Sequence, residues 1–447
     1  MFTKLTKHLS GMQLIAGGFF LIILIGTFLL MLPCAAKSGE CTPFLTALFT
    51  ATSATCVTGL IVVDTFSHWT LFGQLVLLLL IQIGGLGFIT IGITVSMLLR
   101  RKIGLKERGL LRESFNIIEL SGLVRLTKRV ILGTLLFEGA GAVILTLCFI
   151  PKMGIGTGIY YGIFHSVSAF CNAGFDLMGR YEPFSSLTAY YNHPVVAVTV
   201  ILLILIGGIG FIVWNDLYDH RLHFRKYSLH TKIVVTSTLF LVFGGALIFY
   251  LLEGSRLFAD MDVAGKLLNS LFCAVTPRTA GFNTVDVGAM TDAGKLFTVI
   301  LMFIGGAPGS TAGGVKVTTI VILLVYMKAT LTRTESYNIF GRRLDEEALH
   351  KAAAVFSINL TLAMISGILI CGIQTFNGID TLLEVFSAIS TVGMTAGLTT
   401  RLNTASRIVV ILLMYLGRVG SLSFAMSFTD KKKITHVLQP AEKINIG

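Results

Sequence analysis

Long apolar stretches alternate with short polar phrases along this chain. Apolar character runs through residues 12–33, 71–99, 130–150, 195–214, 231–252, 296–327, 352–373 and 406–428. About 20 apolar residues cross the hydrocarbon of a bilayer as a helix, so the pattern predicts eight transmembrane spans. Within each successive pair lies a shorter amphipathic stretch, near 43–53, 158–170, 265–276 and 379–390. Such a stretch is too short to cross and long enough for a re-entrant half-helix. The first apolar stretch exceeds 20 residues and no small-residue cleavage site follows it, so it reads as a retained anchor rather than a signal peptide.

A glycine-ended phrase follows each half-helix. The copies are Ser53-Ala-Thr-Cys-Val-Thr-Gly59, Ser168-Ala-Phe-Cys-Asn-Ala-Gly174, Val275-Thr-Pro-Arg-Thr-Ala-Gly281 and Ser387-Ala-Ile-Ser-Thr-Val-Gly393, their glycines 115, 107 and 112 residues apart. A recurring period dictates architecture. The expected fold is all-α and integral to a membrane: four parallel helix–pore-loop–helix repeats, with eight transmembrane helices and four re-entrant half-helices around a central pore. Two crossings per unit give parallel repeats about an axis normal to the membrane, whereas inverted repeats need an odd number. The repeats divide the chain at 1–110, 111–220, 221–335 and 336–430, with a tail at 431–447. In the second spans, glycines recur as Gly84-Gly85, Gly207-Gly208, Gly305-Gly306 and Gly417. Close helix packing explains them adequately.

Composition agrees with a bilayer setting. Hydrophobic residues make up 54% and charged residues 13% of the 447, against about 25% charged in soluble domains. The net charge of +12 is unevenly spread. Residues 100–129 hold nine Lys/Arg, 219–232 add Arg221, Arg225, Lys226 and Lys232, and Lys431, Lys432 and Lys433 lie in the tail. These fall on one side of the eight-span arrangement. The positive-inside rule then puts both termini in the cytoplasm. Topology and anionic membrane lipid account for the charge runs better than nucleic acid does.

A cation stripped of water needs replacement oxygen ligands, which rings of backbone carbonyls supply. Glycine adopts the required dihedrals without a Cβ clash. The candidate filter is therefore Thr58, Gly59, Asn172, Ala173, Gly174, Thr279, Ala280, Gly281, Thr391, Val392 and Gly393. No phrase contains an acidic residue, which favours a monovalent cation over calcium. The competing reading is four tight turns.

The third quarter departs from the others. Gly305, Gly306, Ala307, Pro308, Gly309, Ser310, Thr311, Ala312, Gly313 and Gly314 interrupt its second span. Proline inside a helix costs roughly 3 kcal/mol and each glycine roughly 1, so the segment should unwind. Irregular backbone at membrane depth must line a polar pathway or be buried in protein; a flexible gate and a static kink are both consistent. Arg418, in the last apolar stretch, is expected to face the cavity or to bond the unwound carbonyls, or to serve as packing glue. Lys316 follows the break, and Arg278 is a candidate partner for Asp286.

These residues resemble the Trk/Ktr/HKT superfamily of potassium transporters. The similarity rests on the phrases at 54–60, 169–175 and 275–282, the glycine-rich break and Arg418, and runs from about residue 12 to 428. The absence of an extra helical hairpin before the first repeat is similar to the Ktr branch, the KtrB or KtrD type of membrane subunit. The resemblance implies a potassium-translocating subunit in a bacterial plasma membrane that forms a homodimer, each protomer with its own pore. It also implies a cytosolic RCK-type ring (KtrA/KtrC-like) that binds ATP or ADP and gates flow, and stimulation by sodium. The ring would dock near 219–232 and 343–351, and the tail 429–447 would aid the dimer contact. Gly59 stands where sodium-selective plant members have serine, implying potassium preference. Pro308 departs from the proline-free stretch of relatives and bears on gating.

Other function classes fit less well. An alternating-access carrier needs broken helices in two corresponding halves, and the sequence marks only one quarter as broken. No cofactor is expected in this chain, and an enzyme is not. The nine histidines form no ligand spacing, with His165 in a half-helix reading as a packing residue. Of the seven cysteines only Cys34 and Cys41 sit where pairing is conceivable.

Overall fold

The computed structural model describes residues 11–98, 109, 123–221, 223–334 and 336–421. Residues 99–108 and 110–122 of the basic run, the end of the eighth apolar stretch and the tail 429–447 lie outside the described residues, and so do the expectations placed on them. The first quarter runs α1 (Gly11–Met31), α2 (Phe44–Thr55), α3 (Leu71–Leu86) and α4 (Phe88–Leu98). The second runs α5 (Leu123–Met153), α6 (Ile155–Phe170), α7 (Pro194–Gly208) and α8 (Phe211–His220). The third comprises α9 (Leu229–Glu253), α10 (Val263–Val275), α11 (Asp292–Phe303) and α12 (Val317–Leu331). The fourth has α13 (Glu346–Ile373), α14 (Gly378–Ile389) and α15 (Thr404–Val419).

Polar caps start many of these helices where the apolar pattern begins. Asp262, Thr291 and Asn403 accept backbone N–H groups from Gly265, Gly294 and Ser406 at 3.0, 3.0 and 2.9 Å, satisfying donors that a helix start leaves unpaired. The short helices α2, α6, α10 and α14 follow α1, α5, α9 and α13 and pack back against them. In the second quarter only Gly154 (φ 83°) separates the two.

The expectation that only the third quarter's second span is broken is corrected. Among the described residues α1, α5, α9 and α13 are long and apolar enough to cross a bilayer unbroken. The α3–α4 and α7–α8 pairs qualify only as bent pairs, turned by 94° and 95°. Their hinges are Gly87 and Gly210, at φ 79° and 95°, a region an L side chain seldom enters. In the third quarter the chain leaves helix altogether over 304–316. In the fourth, α15 stops at Val419 and Gly420 takes φ 93°. The break the sequence marked in one quarter thus recurs at the same register in all four. The signal was present as Gly87 and Gly210 but was outweighed by the uninterrupted hydropathy around them.

Two large apolar clusters fill most of the interior, one built mainly from the first two quarters around Trp69, Phe149 and Phe170, the other mainly from the last two around Phe249, Phe303 and Met414, with two smaller ones beside them. The outer surface is apolar too: Phe240 and Phe243 of α9 are 76% and 64% exposed, the reverse of a soluble core and the order a hydrocarbon solvent requires. Tyr415 of α15 donates to the Ala16 carbonyl of α1 at 2.8 Å, joining the last quarter to the first.

Candidate functional site

The four phrase glycines meet one another in a closed cycle. A Cβ on Gly59 would stand 2.6 Å from the Ala173 carbonyl oxygen, one on Gly174 2.7 Å from Ala280 O, and one on Gly281 2.5 Å from Val392 O. A Cβ on Gly393 would strike the Thr58 carbonyl. Each phrase therefore leans its pre-glycine carbonyl on the glycine of its neighbour, in the order one–two–three–four–one. The glycines take φ 92°, 69°, 78° and 93°. Lack of a Cβ is needed at all four for both reasons.

Two residues earlier the chain is strained. Val57, Asn172, Thr279 and Thr391 sit at φ 57°, 56°, 74° and 52°, and such conformations cost on the order of 1–3 kcal/mol each. By register Val57, not Thr58, is the counterpart of Asn172, Thr279 and Thr391. Sequence reasoning missed it because an apolar side chain gave no chemical reason for choosing it. Asn172 and Thr279 bond through their side chains at 3.1 Å; with the amide oxygen turned to Thr279, its NH₂ donates to the Ala169 and Ile204 carbonyls.

Hydroxyls at the ends of the half-helices pin the phrases. Ser53 and Ser387 accept the N–H groups of Gly59 and Gly393 at 3.1 and 3.0 Å. Ser168 and Thr276 instead donate to the carbonyls of Phe175 and Phe282, both at 2.6 Å. The serines recur six residues before their glycines, so the signal was available in the repeat itself. Nine residues before the glycine stand Thr50, His165, Phe272 and Glu384. His165 is buried, bonds the Tyr161 carbonyl at 2.7 Å and receives the Leu177 N–H at 3.3 Å. It anchors the loop beyond the second phrase, more than the packing residue expected.

The second-span glycines bring each second helix onto its half-helix. A Cβ on Gly84, Gly207 or Gly417 would collide with the carbonyl of Thr55, Phe170 or Ile389, the last helical residue of α2, α6 or α14. Close packing is thus their role, as the sequence implied.

Cavities lie on both sides of the glycine ring. The outer, about 160 Å³, is lined by Gly59, Gly174, Gly281 and Gly393 together with residues just beyond them. The inner, about 300 Å³, is lined by Pro308, Gly309, Ser310, Lys316, Arg418 and the bends at 85–87 and 417–420.

The unwound segment makes its hydrogen bonds across quarters. Ala307 N–H donates to Gly208 O at 2.9 Å, Thr311 N–H to Gly207 O at 3.3 Å, and Gly309 O accepts from Phe211 N–H at 2.8 Å. Gly314 N–H reaches Gly417 O at 3.3 Å. Within the segment Gly305 N–H donates to Val315 O at 2.9 Å and Gly306 O accepts from Val317 N–H at 3.1 Å. Lys316 donates to the Ala312 and Gly313 carbonyls at 2.6 and 3.0 Å. Gly313 abuts the Thr391 side chain, so the segment also touches the fourth phrase.

Arg418 donates to the carbonyls of Thr311 and Gly84, and to Gly85 O at 3.1 Å. A charge at membrane depth costs at least about 2.5–3.5 kcal/mol. Gly84 and Gly85 end α3, where carbonyls lack helical partners and the dipole favours a cation. One side chain therefore ties the bend of quarter one to the open loop of quarter three. Arg278 does not pair with Asp286: it turns inward to Thr238 Oγ1 at 3.1 Å, while Asp286 accepts the Gly288 N–H at 2.8 Å. The short sequence spacing misled, because the half-helix end points Arg278 at α9. Cys34 and Cys41 are both free thiols.

The chain matches the family model described as TrkH, cation transport protein, over residues 10–436. It is 41% identical to the potassium/sodium uptake protein NtpJ of Enterococcus hirae, with 99% of each chain covered. It is 40% identical to the Ktr system potassium uptake protein B of Bacillus subtilis, covering 97% of this chain and 96% of that one. The crystal structure of the potassium transporter TrkH from Vibrio parahaemolyticus shares the fold, with TM-score 0.72 and 18% identity, over 93% of this chain and 85% of that chain.

Proposed function

Because this chain belongs to the TrkH cation transport family and is a multi-pass membrane protein, we propose that it is the potassium-translocating subunit of a Ktr-type uptake system in a bacterial plasma membrane. Potassium passes through the four glycine phrases, losing water to carbonyls contributed by each quarter. The observation that carries this reading is the closed cycle of glycine–carbonyl contacts. The names of the relatives at 41% and 40% identity support potassium as the ion. Segment 304–316 with Lys316 and Arg418 acts as the gate on the cytoplasmic side, both termini being cytoplasmic. The chain pairs as a homodimer, and a cytosolic nucleotide-binding ring controls the gate from the surface near 219–232 and 343–351. Sodium stimulates uptake.

Recurrent bends remove the sequence argument against an alternating-access carrier, which relied on a single broken quarter. The conduction reading now stands on fourfold closure of the phrases, which a two-halved carrier does not require. Growth of a potassium-uptake-deficient bacterium on low potassium, with and without a co-expressed regulatory subunit, tests it. Gly59→Ser sharpens the test. Its Cβ would push on the Ala173 carbonyl from a left-handed backbone, so the potassium-to-sodium uptake ratio should drop about tenfold or more, a loss of roughly 1.4 kcal/mol of discrimination. An unaltered ratio at normal protein level rejects the filter assignment.

A further inference from the structure

A second ring stands just outside the first. Ile61, Asp176, Asn283 and Thr395 each lie two residues beyond a phrase glycine, and all four line the outer cavity. In three quarters the residue there carries a side-chain oxygen (acid, amide or hydroxyl) and in one it is aliphatic. Asp176 is 9% exposed, and one carboxyl oxygen accepts the Met178 N–H at 2.8 Å. Its other oxygen has no hydrogen-bond partner among the described residues. The side-chain oxygen of Asn283 is buried and also without a partner.

The polarity of Thr395 is set from behind. Glu384, 1% exposed in α14, accepts the Thr395 hydroxyl at 2.6 Å and also the Thr399 hydroxyl. Both hydrogens therefore point away from the cavity. Thr395 Oγ1 accepts the Gly397 N–H at 3.1 Å with one lone pair and keeps the other. A buried acid spent on turning hydroxyls into acceptors makes sense where the cavity holds a cation; a wall meant for water or an anion needs donors.

We propose that Asp176, Asn283 and Thr395 form an outer potassium-binding site that loads the ion before it reaches the glycine ring, with Glu384 as a positioning residue behind Thr395. The proposal rests on the uptake reading above. Burial raises the Asp176 acid to about 7, the Met178 N–H opposing the rise and nearby Asp64 adding to it. The ionisable groups that face it are Asp64, whose carboxylate is taken by the Ser67 and Phe184 N–H groups at 2.7 and 3.1 Å, and Tyr161. A raised carboxylate is one a cation stabilises, and protons compete for it. As pH falls through about 7 the carboxylate is lost and potassium affinity should fall with it.

Rubidium uptake by the full chain, co-expressed with its regulatory subunit, tests this. Asp176→Asn should raise KM by about tenfold with Vmax little changed, the effect expected of one partly screened charge at close range. Wild-type KM should rise as pH drops through about 7, and this dependence should weaken in Asp176→Asn, leaving only the part owed to Glu384, an acid that burial also raises to about 7, and persist in Asp176→Glu. Glu384→Gln should raise KM by less, since its amide forces one threonine hydrogen back toward the cavity. An unchanged KM in Asp176→Asn, or a loss of Vmax at constant KM, overturns the proposal. Should that variant not reach the membrane, the wild-type profile decides, a KM flat across pH 7 being fatal. A wild type that takes up no rubidium at all contradicts the uptake reading instead.

Discussion

The second helices of the first and third quarters begin alike and break at the same register, yet they break differently. In the first, a single glycine at φ 79° turns the chain by 94° and helix resumes at once. In the third, helix is abandoned from 304 to 316 and the freed backbone groups bond to Gly207, Gly208, Phe211 and Gly417 of other quarters. The one-residue hinge keeps helix on both sides of it, and only the Gly84 and Gly85 carbonyls beside it are taken by another quarter, through Arg418. The open segment instead has its backbone groups held by the second and fourth quarters, so its conformation depends on where those quarters stand. On the gate reading proposed above, motion belongs to the third quarter while the other three hold the ring.

Shortening the open segment should break that contrast most. Deletion of 309–313 removes the carbonyl that Phe211 N–H uses and one acceptor of Arg418. Rubidium flux should then no longer depend on a co-expressed regulatory subunit, a change of about tenfold or more, equivalent to roughly 1.4 kcal/mol of lost gating energy. Retained dependence at normal protein level argues for a static kink.

Next in size is the tie between the two breaks. Arg418→Gln keeps an amide donor but gives up the reach to both the Thr311 and Gly84 carbonyls. An orphaned buried carbonyl costs about 1–3 kcal/mol, so the loop should loosen and flux rise severalfold. The thermal midpoint separates the outcomes: raised flux with a modest drop in Tm fits a latch, whereas a large drop without surviving flux marks Arg418 as packing alone.

How much of this was written in the chain follows the same divide. The phrases, the half-helices and the glycine-rich break were legible because each departs from apolar monotony: α2, α6, α10 and α14 lie within three residues of their expected bounds. The bends at Gly87 and Gly210 were not, since a glycine beside other glycines in a membrane helix reads as packing and its φ is a tertiary outcome. Val57 was hidden by its apolar side chain, and Arg278 by a turn whose direction sequence spacing does not carry. Glu384 and Asp176 were visible as acids, but their relation to one cavity depends on two loops folding toward a common axis.

The smallest expected effect asks whether the third quarter also differs within its phrase. Its half-helix ends at Val275, six residues before the glycine, where the others end four before. Pro277 follows and has no N–H to extend the ladder. Its anchoring hydroxyl, Thr276, grips the Phe282 carbonyl rather than a glycine N–H, as Ser168 of the second quarter grips Phe175. In the first quarter Ser53 grips the N–H of Gly59 itself. Ser53→Ala therefore frees a ring residue directly, while Thr276→Val frees only the residue after one. A lost hydrogen bond is worth about 1 kcal/mol, so Ser53→Ala should lower the potassium-to-sodium uptake ratio by up to about fivefold, with Thr276→Val lowering it less. Equal losses from both would mean the third phrase is held as the first is, and that the difference between the quarters begins only at residue 304.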